Sequence, residues 1–200
     1  MQAKQPAIQR QAAAFLPTHW GKFNIIAYAP SADDPAPHVA LVHERFDPSR
    51  TVLVRIHSEC MTGDLFGSHR CDCGEQLDRA LQLIAENGGV LIYLRQEGRG
   101  IGLINKLKAY NLQEQGLNTA DANTHLGFEV DARQYDLAVE IMKDLGISSI
   151  HLLTNNPLKI EAIEHSPIRI VSRVPLVIEP RSENKDYLEA KRLLMGHLLK

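Results

Sequence analysis

The stretch TVLVRIHSECMTGDLFGSHRCDCGEQLDRALQLIAENGGVLIYL, residues 51–94, decides the fold class. It opens with a strand over Thr51–His57, in which Val52, Val54 and Ile56 face one way and Arg55 and His57 the other. An amphipathic helix follows over Gly74–Asn87, with Leu77, Ala80, Leu81 and Ile84 at i, i+3, i+4 and i+7. Gly88 and Gly89 stop it, and Val90–Leu94 is a short apolar strand. Strand, helix, strand is the unit of an α/β sheet.

The same alternation continues on both sides. Toward the C-terminus, Gln96–Gly102 (QEGRGIG) is a glycine-rich turn, and Leu103–Gln115 is a helix stopped by Gly116. Ala132–Leu145 is predicted as a third helix, with Asp131 placed to cap it and Gly146 beyond its end. Ile150–Leu153 reads as a strand, and Asn156-Pro157 starts a helix with Asn as N-cap and Pro at N1. Ile168–Ile178 contains Pro175 and so reads as an edge strand; Asp186–Leu199 reads as a terminal helix. Toward the N-terminus, Val39–His43 and Phe23–Ala29 are strands separated by the loop Ser31–Pro37, whose prolines and aspartates block both helix and ladder. Residues 1–15 read as a disordered or loosely packed lead-in, and 16–200 as one compact catalytic domain, a mixed sheet flanked by helices.

Composition narrows the function. The chain has 200 residues, 44% hydrophobic and 23% charged, enough to bury a core without disulfides. With 22 Lys+Arg against 24 Asp+Glu the net charge is −2, which argues against a strongly basic nucleic-acid binder. No stretch approaches the roughly 20 apolar residues of a membrane span, and the first residues lack a signal-peptide core. The expected location is therefore cytoplasmic, with no nucleic-acid or membrane partner. The cysteines number three, an odd count that argues against a disulfide framework.

Those cysteines are spaced Cys60-x10-Cys71-x-Cys73. Three thiolates complete the protein share of a catalytic zinc and leave one tetrahedral position for water. On spacing alone two other readings stay open: a structural zinc that borrows His57 or His69, or inert or redox thiols. Zinc with three thiolates carries a net charge of about −1, so such a site needs nearby donors. Arg55, His57, His69 and Arg70 flank the ligands, and Glu59 stands beside one of them to move protons. His57-Ser58-Glu59 echoes the H-x-E of zinc nucleobase deaminases, but C-x-C replaces their C-x-x-C.

The turn Gln96–Gly100 follows a strand and precedes a helix, the usual place for a ligand loop, yet it is neither a Rossmann nor a Walker loop. Glu97 offers an acceptor pair suited to the N1–H and 2-amino edge of guanine, and Arg99 a donor fork; a solvated surface turn is the alternative. Thr154–Lys159 leads into a helix N-terminus, where free amides and Lys159 suit a phosphate; helix capping alone would look the same.

Taken together, these segments resemble GTP cyclohydrolase II, the family that begins riboflavin synthesis. The resemblance is carried by RIHSECMTGDLFGSHRCDCGEQL (55–77), RQEGRGIGLINKLKAYNLQEQG (95–116), NTHLGFEVDAR (123–133), LLTNNPLKI (152–160), RVPL (173–176) and MGHLL (195–199). It implies that Cys60, Cys71 and Cys73 bind one zinc per subunit. It implies GTP contacts from Arg55, Ile56, His57, Ser58, Glu59, Gln76, Glu97, Gly98, Arg99, Thr119, Thr154 and Lys159. Asp131 matches the family's proton acceptor, Arg133 its nucleophile, and Tyr110 a tyrosine near the reacting ring. Magnesium on the triphosphate and a homodimer are also implied. Departures are small: Gln134 stands where aspartate is common, Ala190 where threonine is common, and His165-Ser166-Pro167 replaces a glycine-containing turn.

The implied reaction is hydrolytic opening of the guanine imidazole ring. It gives formate, pyrophosphate and 2,5-diamino-6-ribosylaminopyrimidin-4-one 5′-phosphate. Two other classes compete: a zinc nucleobase deaminase, and a non-catalytic GTP sensor with a structural zinc.

Overall fold

The computed structural model describes residues 7–117, 119–129 and 131–198. Among them, seven strands form one mixed sheet in the order β1-β2-β3-β5-β4-β6-β7. The strands are β1 Gln9–Thr18, β2 Gly21–Ala29, β3 His38–His43, β4 Val52–Ser58, β5 Val90–Leu94, β6 Ser149–Leu153 and β7 Arg169–Val174. The helices are α1 Met61–Asp64, α2 Cys73–Asn87, α3 Gly102–Glu114, α4 Thr119–His125, α5 Asp136–Asp144, α6 Pro157–Glu164 and α7 Lys185–Met195. None is long and apolar enough to cross a membrane.

The pairing divides the sheet. β1, β2, β3 and β5 pair antiparallel, whereas β5, β4, β6 and β7 run parallel. Within the parallel half, β5 and β4 are buried on both faces, as crossover helices require, whereas β7 at the edge stays largely exposed. Val52, Val54 and Ile56 of β4 pack with Leu137, Ile141 and Met142 of α5 and Ile163 of α6. On the opposite face, Leu81 and Ile84 of α2 pack with Leu91 and Leu153. Each such side chain, fully buried, contributes about 1.5–3 kcal/mol.

From β4 the chain crosses to β5 through α2 on one face, and from β5 it returns past β4 to β6 through α5 on the other. Strand order therefore reverses at β4, and in such sheets ligands bind beyond the strand's C-terminal end. β4 ends in Arg55-Ile56-His57-Ser58, immediately before Cys60. At the opposite end of these strands Gly88, at φ 77°, caps α2 in the left-handed conformation, and a Cβ there would lie 2.8 Å from the Arg45 carbonyl oxygen.

Two expectations need correction. Residues 9–15, read as part of a loose lead-in, begin β1; only residues 1–6 of that lead-in lie outside the described residues. β1 is exposed along most of its length, so hydropathy does not reveal it. Its ladder with β2 holds it, together with an ion pair from Arg10 to Asp144 at 2.7 Å. The helix expected from Ala132 starts instead at Asp136. Asp131 does not cap it, because its carboxylate accepts hydrogen bonds from the backbone and guanidinium of Arg133. Ala132 N–H donates to the Arg99 carbonyl at 3.1 Å, and Gln96 Nε2 donates to the Gln134 carbonyl at 2.8 Å. These bonds tie residues 131–134 to the glycine-rich turn in place of a first helical turn.

Candidate active site

The three thiols meet where β4 ends. Cys60 follows β4, Cys71 lies in the loop after α1, and Cys73 opens α2. Their sulfur atoms all lie within 4.8 Å of one another, with Cys60 Sγ 3.6 Å from Cys71 Sγ. A tetrahedral zinc with Zn–S of about 2.3 Å sets its sulfurs about 3.8 Å apart, so the donor set fits that ion. Neither His57 nor His69 joins the cluster among the described residues. His57 Nε2 is turned to Asp64 Oδ1 at 3.0 Å. That leaves three protein ligands, the count of an open site rather than a closed structural one.

The cluster is held from below. Asp64 Oδ2 accepts from the Cys60 backbone N–H at 3.0 Å and from the Tyr93 hydroxyl at 2.8 Å. Hydrogen bonds from Cys71 and then Cys73, with the Lys106 ammonium beside them, push the Cys60 thiol far down. The same sharing holds Cys71 up at about 11 and Cys73 well above its usual range. A metal must therefore displace protons from two of the three sulfurs.

Gly63 lets the sulfurs converge. A Cβ there would lie 2.9 Å from Cys71 Sγ, 3.1 Å from Cys73 Cβ and 3.3 Å from Cys60 Sγ. Gly63→Ala is expected to weaken metal binding by about tenfold or more. Competition with a chromogenic chelator measures this, and an unchanged affinity would show that the sulfurs have room to spare.

Around the sulfurs lies a shell of charge. Lys106 on α3 donates to Cys60 Sγ at 3.2 Å and to Glu97 Oε1 at 2.8 Å. Burial alone would lower its pKa, but the Cys60 thiolate and Glu97 outweigh burial and raise it. Glu97 also accepts from Met61 N at 2.6 Å and Gly98 N at 2.7 Å. Its carboxylate, expected to read guanine, is thus turned inward and joins the glycine-rich turn to the cysteine loop. Tyr110 on α3 reaches the same loop, its hydroxyl 3.2 Å from Thr62 Oγ1. Burial raises its pKa.

Two adjoining chambers open here, with Ser58, Cys73, Arg99 and Arg133 on the wall of both. The first, about 540 Å³ with its mouth, is lined by Arg55, Arg99, Arg133, Lys159 and Lys191 and by no carboxylate. The second, about 560 Å³ with its mouth, carries Cys60, Glu97, Gln96, Lys106 and Tyr110. Four residues of the first chamber hold a buried nitrogen with no partner: Arg55 Nε, His57 Nδ1, Arg99 Nη2 and His197 Nε2. In the second, Gln96 Oε1 is a buried acceptor with no partner. Arg99 holds φ at +62°, a left-handed conformation that costs a side-chain-bearing residue about 1–2 kcal/mol.

The cations are placed by the strand ends. Arg55 donates to the Leu153 carbonyl at 3.0 Å and to Gln76 Oε1 at 2.6 Å, and burial lowers its pKa to about 10. Gln76 donates to Asp72, which in turn accepts from Lys191 on α7 at 2.6 Å. Lys159 donates to the Ile56 carbonyl at 2.8 Å; burial, then Arg55 and Arg133, push its pKa well down. Arg133 forms a two-pronged pair with Asp131, Nε at 2.8 Å and Nη2 at 2.5 Å. Burial opposes the guanidinium charge, but the Asp131 hydrogen bonds prevail and raise the pKa. Thr154 lines the same chamber.

Most of the expected residues therefore meet in one cleft. Glu59 lines the second chamber while pairing with Arg95 at 3.1 Å. Ile56 contributes through its backbone carbonyl, and Gly98 keeps φ at +61° inside the turn. Thr119 begins α4, and its side chain lies outside the described residues. The sequence reading missed Gln96, Lys106, Lys191 and His197. Gln96 and His197 lie inside stretches already singled out, the turn Gln96–Gly100 and MGHLL, and Lys106 stands one turn before Tyr110 on α3, whereas Lys191 carried no signal.

Comparison with known proteins places the chain in a family. A family model described as GTP cyclohydrolase II matches residues 9–175. The chain is 52% identical over 193 residues to a Riboflavin biosynthesis protein RibBA of Bacillus cereus, covering 96% of this chain and 48% of that one. It is 51% identical over 193 residues to a RibBA of Chlorobium phaeovibrioides, covering 96% and 47%. The chain thus spans about half the length of the curated relatives it matches. A solved structure of RibBX, a two-domain 3,4-dihydroxy-2-butanone 4-phosphate synthase from A. baumannii, overlays with a TM-score of 0.47 at 19% identity, over 88% of this chain and 42% of that one.

Proposed function

The chain belongs to the GTP cyclohydrolase II family, and from that premise we propose that its cleft opens the imidazole ring of GTP. The products are formate, pyrophosphate and 2,5-diamino-6-ribosylaminopyrimidin-4-one 5′-phosphate. One observation carries the reading: a three-thiol cluster and a carboxylate-free chamber of five cations share one cleft. The cationic chamber suits a polyphosphate, and the thiol chamber suits the base. We extend the reading to a homodimer working in the cytoplasm.

Cys60, Cys71 and Cys73 would hold zinc. When bound, the metal supplies Lewis-acid activation of water for hydrolysis at the purine carbon between the two ring nitrogens. The remaining work falls to the chain's own residues. Tyr110 stands beside the sulfurs to donate a proton to the opening ring. Gln96 Oε1 awaits an N–H donor, which guanine presents and adenine lacks at the same ring position. Glu97 keeps the turn in place for that contact. Ser58 and Glu59 flank the base, and His57 offers Nδ1 toward the phosphates.

At the other end, Arg55, Arg99, Lys159 and Thr154 bind the triphosphate, with Mg²⁺ sharing its charge. Asp131 accepts the protons of Arg133 that a nucleophilic guanidine would have to lose. Yet Asp131 is held low and Arg133 high, so the pair favours the charged state. Arg133 therefore acts as a cationic clamp at the α-phosphate: water adds to the α-phosphorus, the bond to the oxygen shared with the β-phosphate breaks and pyrophosphate leaves, while the guanidinium offsets the negative charge of the transferring group.

The test is to incubate the zinc-loaded protein with GTP and Mg²⁺ and measure formate, pyrophosphate and ammonia. Formate and pyrophosphate in equal amounts without ammonia are expected. Ammonia with an intact ring would make it a deaminase, and no product a binding protein. ATP is expected to turn over about 10⁴-fold less efficiently, because the buried acceptor is left unpaired.

A further inference from the structure

The C-terminal turn places one more polar group in the cationic chamber. α7 ends at Met195, and Gly196 takes φ +63° as its left-handed cap. Both the Gly196 N–H and the His197 N–H donate to the Lys191 carbonyl, the latter at 3.1 Å from six residues on, and so close the end of the helix. Leu198 N–H then donates to the Asn155 carbonyl at 2.9 Å, at the loop between β6 and α6. The chain is thereby folded back over the C-terminal end of β6. His197 lines the chamber with Arg55, Arg133, Lys159 and Lys191, and its Nε2 is buried without a partner.

From this geometry we infer that His197 is a phosphate-binding residue, its imidazole Nε2 donating to the polyphosphate of the substrate. The inference rests on the reading that this chamber takes the phosphates of GTP. A residue that only packed the tail would have its polar atom turned to water or satisfied by the chain. Here the atom faces a space walled by cations, and in the tautomer that carries its proton on Nε2 the imidazole needs an acceptor, which a phosphate oxygen supplies and the cations around it do not. The imidazole also suits the place. Burial and the charges of Lys191, Arg133, Lys159 and Arg99 push its pKa down to about 3, so it is neutral in the empty chamber. It adds a donor without adding a sixth charge to a cluster already repelling itself. By the same contacts, α7 and the turn after it become the wall that closes the chamber.

Inorganic pyrophosphate with Mg²⁺ is the probe, titrated by calorimetry into zinc-loaded protein, with KM and kcat for GTP measured alongside. His197→Ala is expected to weaken pyrophosphate binding roughly tenfold to a hundredfold, the range for a hydrogen bond to a charged group. KM for GTP should rise by a similar factor, more than kcat falls. His197→Gln keeps an N–H donor and should recover most of the loss, whereas a role confined to packing predicts no such recovery. Binding within twofold of wild type in His197→Ala, or no rescue in a folded His197→Gln protein, overturns the assignment. So does a wild type that does not bind pyrophosphate. A wild type that binds pyrophosphate through His197 but releases no formate from GTP leaves the assignment standing and overturns the proposed reaction instead.

Discussion

Cys71→Ser is expected to leave the protein folded, deplete it of metal and reduce formate release by about three orders of magnitude or more, since each 1.36 kcal/mol is a factor of ten. Cys71 Sγ lies 3.6 Å from Cys60 Sγ in a cluster with no fourth protein ligand among the described residues. A serine hydroxyl is a hard donor that stays protonated near neutral pH, so the site keeps only two of its soft ligands. Two thiols do not hold zinc against buffer and chelators as three do. The fold should survive because neither apolar core includes these cysteines: one packs β4 against α5 and α6, the other packs α2 against the sheet. Metal content by atomic absorption, formate release and far-ultraviolet circular dichroism separate the effects. Full formate release from metal-free Cys71→Ser protein would end the metal-dependent reading. Loss of the dichroism signal would show that the cluster is structural.

How much of this was legible beforehand follows from what each segment relies on. Val90–Leu94 is read to the residue, because a short apolar run between a double glycine and a polar turn has few alternatives. Asn156 caps α6 as its sequence announces, its Oδ1 accepting from Leu158 N at 2.9 Å. β7 lies at the edge as expected, but it ends at Val174, so Pro175 stops the strand expected over Ile168–Ile178 rather than lying inside it. β1 was not legible: a strand exposed on both faces owes its existence to its neighbour's ladder, which no local pattern encodes. The late start of α5 was hidden for a related reason. Asp131 looks like a cap until Arg133, two residues on, takes its carboxylate. For the site, the cysteine spacing picked out the three thiols that converge, but not the groups that reach them from elsewhere. Lys106 is 46 residues from Cys60, and Lys191 is 119 residues from Asp72. Only the strand order, which reverses at β4, brings these segments together.

Glu97 is where the structure changes the expected role most, and its replacement should have the largest effect on stability. Its carboxylate accepts from Met61 N at 2.6 Å, Gly98 N at 2.7 Å and Lys106 Nζ at 2.8 Å. A carboxylate has about four lone-pair positions, so at most one is left for a base. Both members of the pair with Lys106 are nearly buried, with side-chain exposures of 11% and 8%. Glu97→Ala strands two backbone donors and leaves the buried ammonium only the Cys60 sulfur. Breaking a buried pair from one side costs about 3–5 kcal/mol, which in a chain of this size lowers Tm by about 6–20 °C. Because Met61 adjoins Cys60 and Lys106 touches its sulfur, metal affinity should fall with stability. Lys106→Met added to Glu97→Ala removes the stranded charge and should recover a large part of the lost Tm, but not the activity, since nothing then fixes the turn. A residue whose task was only to read guanine behaves otherwise. Its loss would narrow the gap between GTP and ATP while Tm and metal affinity stayed near wild type, and the second substitution would recover nothing. Thermal melts of the three variants, with metal titrations beside them, decide whether Glu97 builds the site or reads the base.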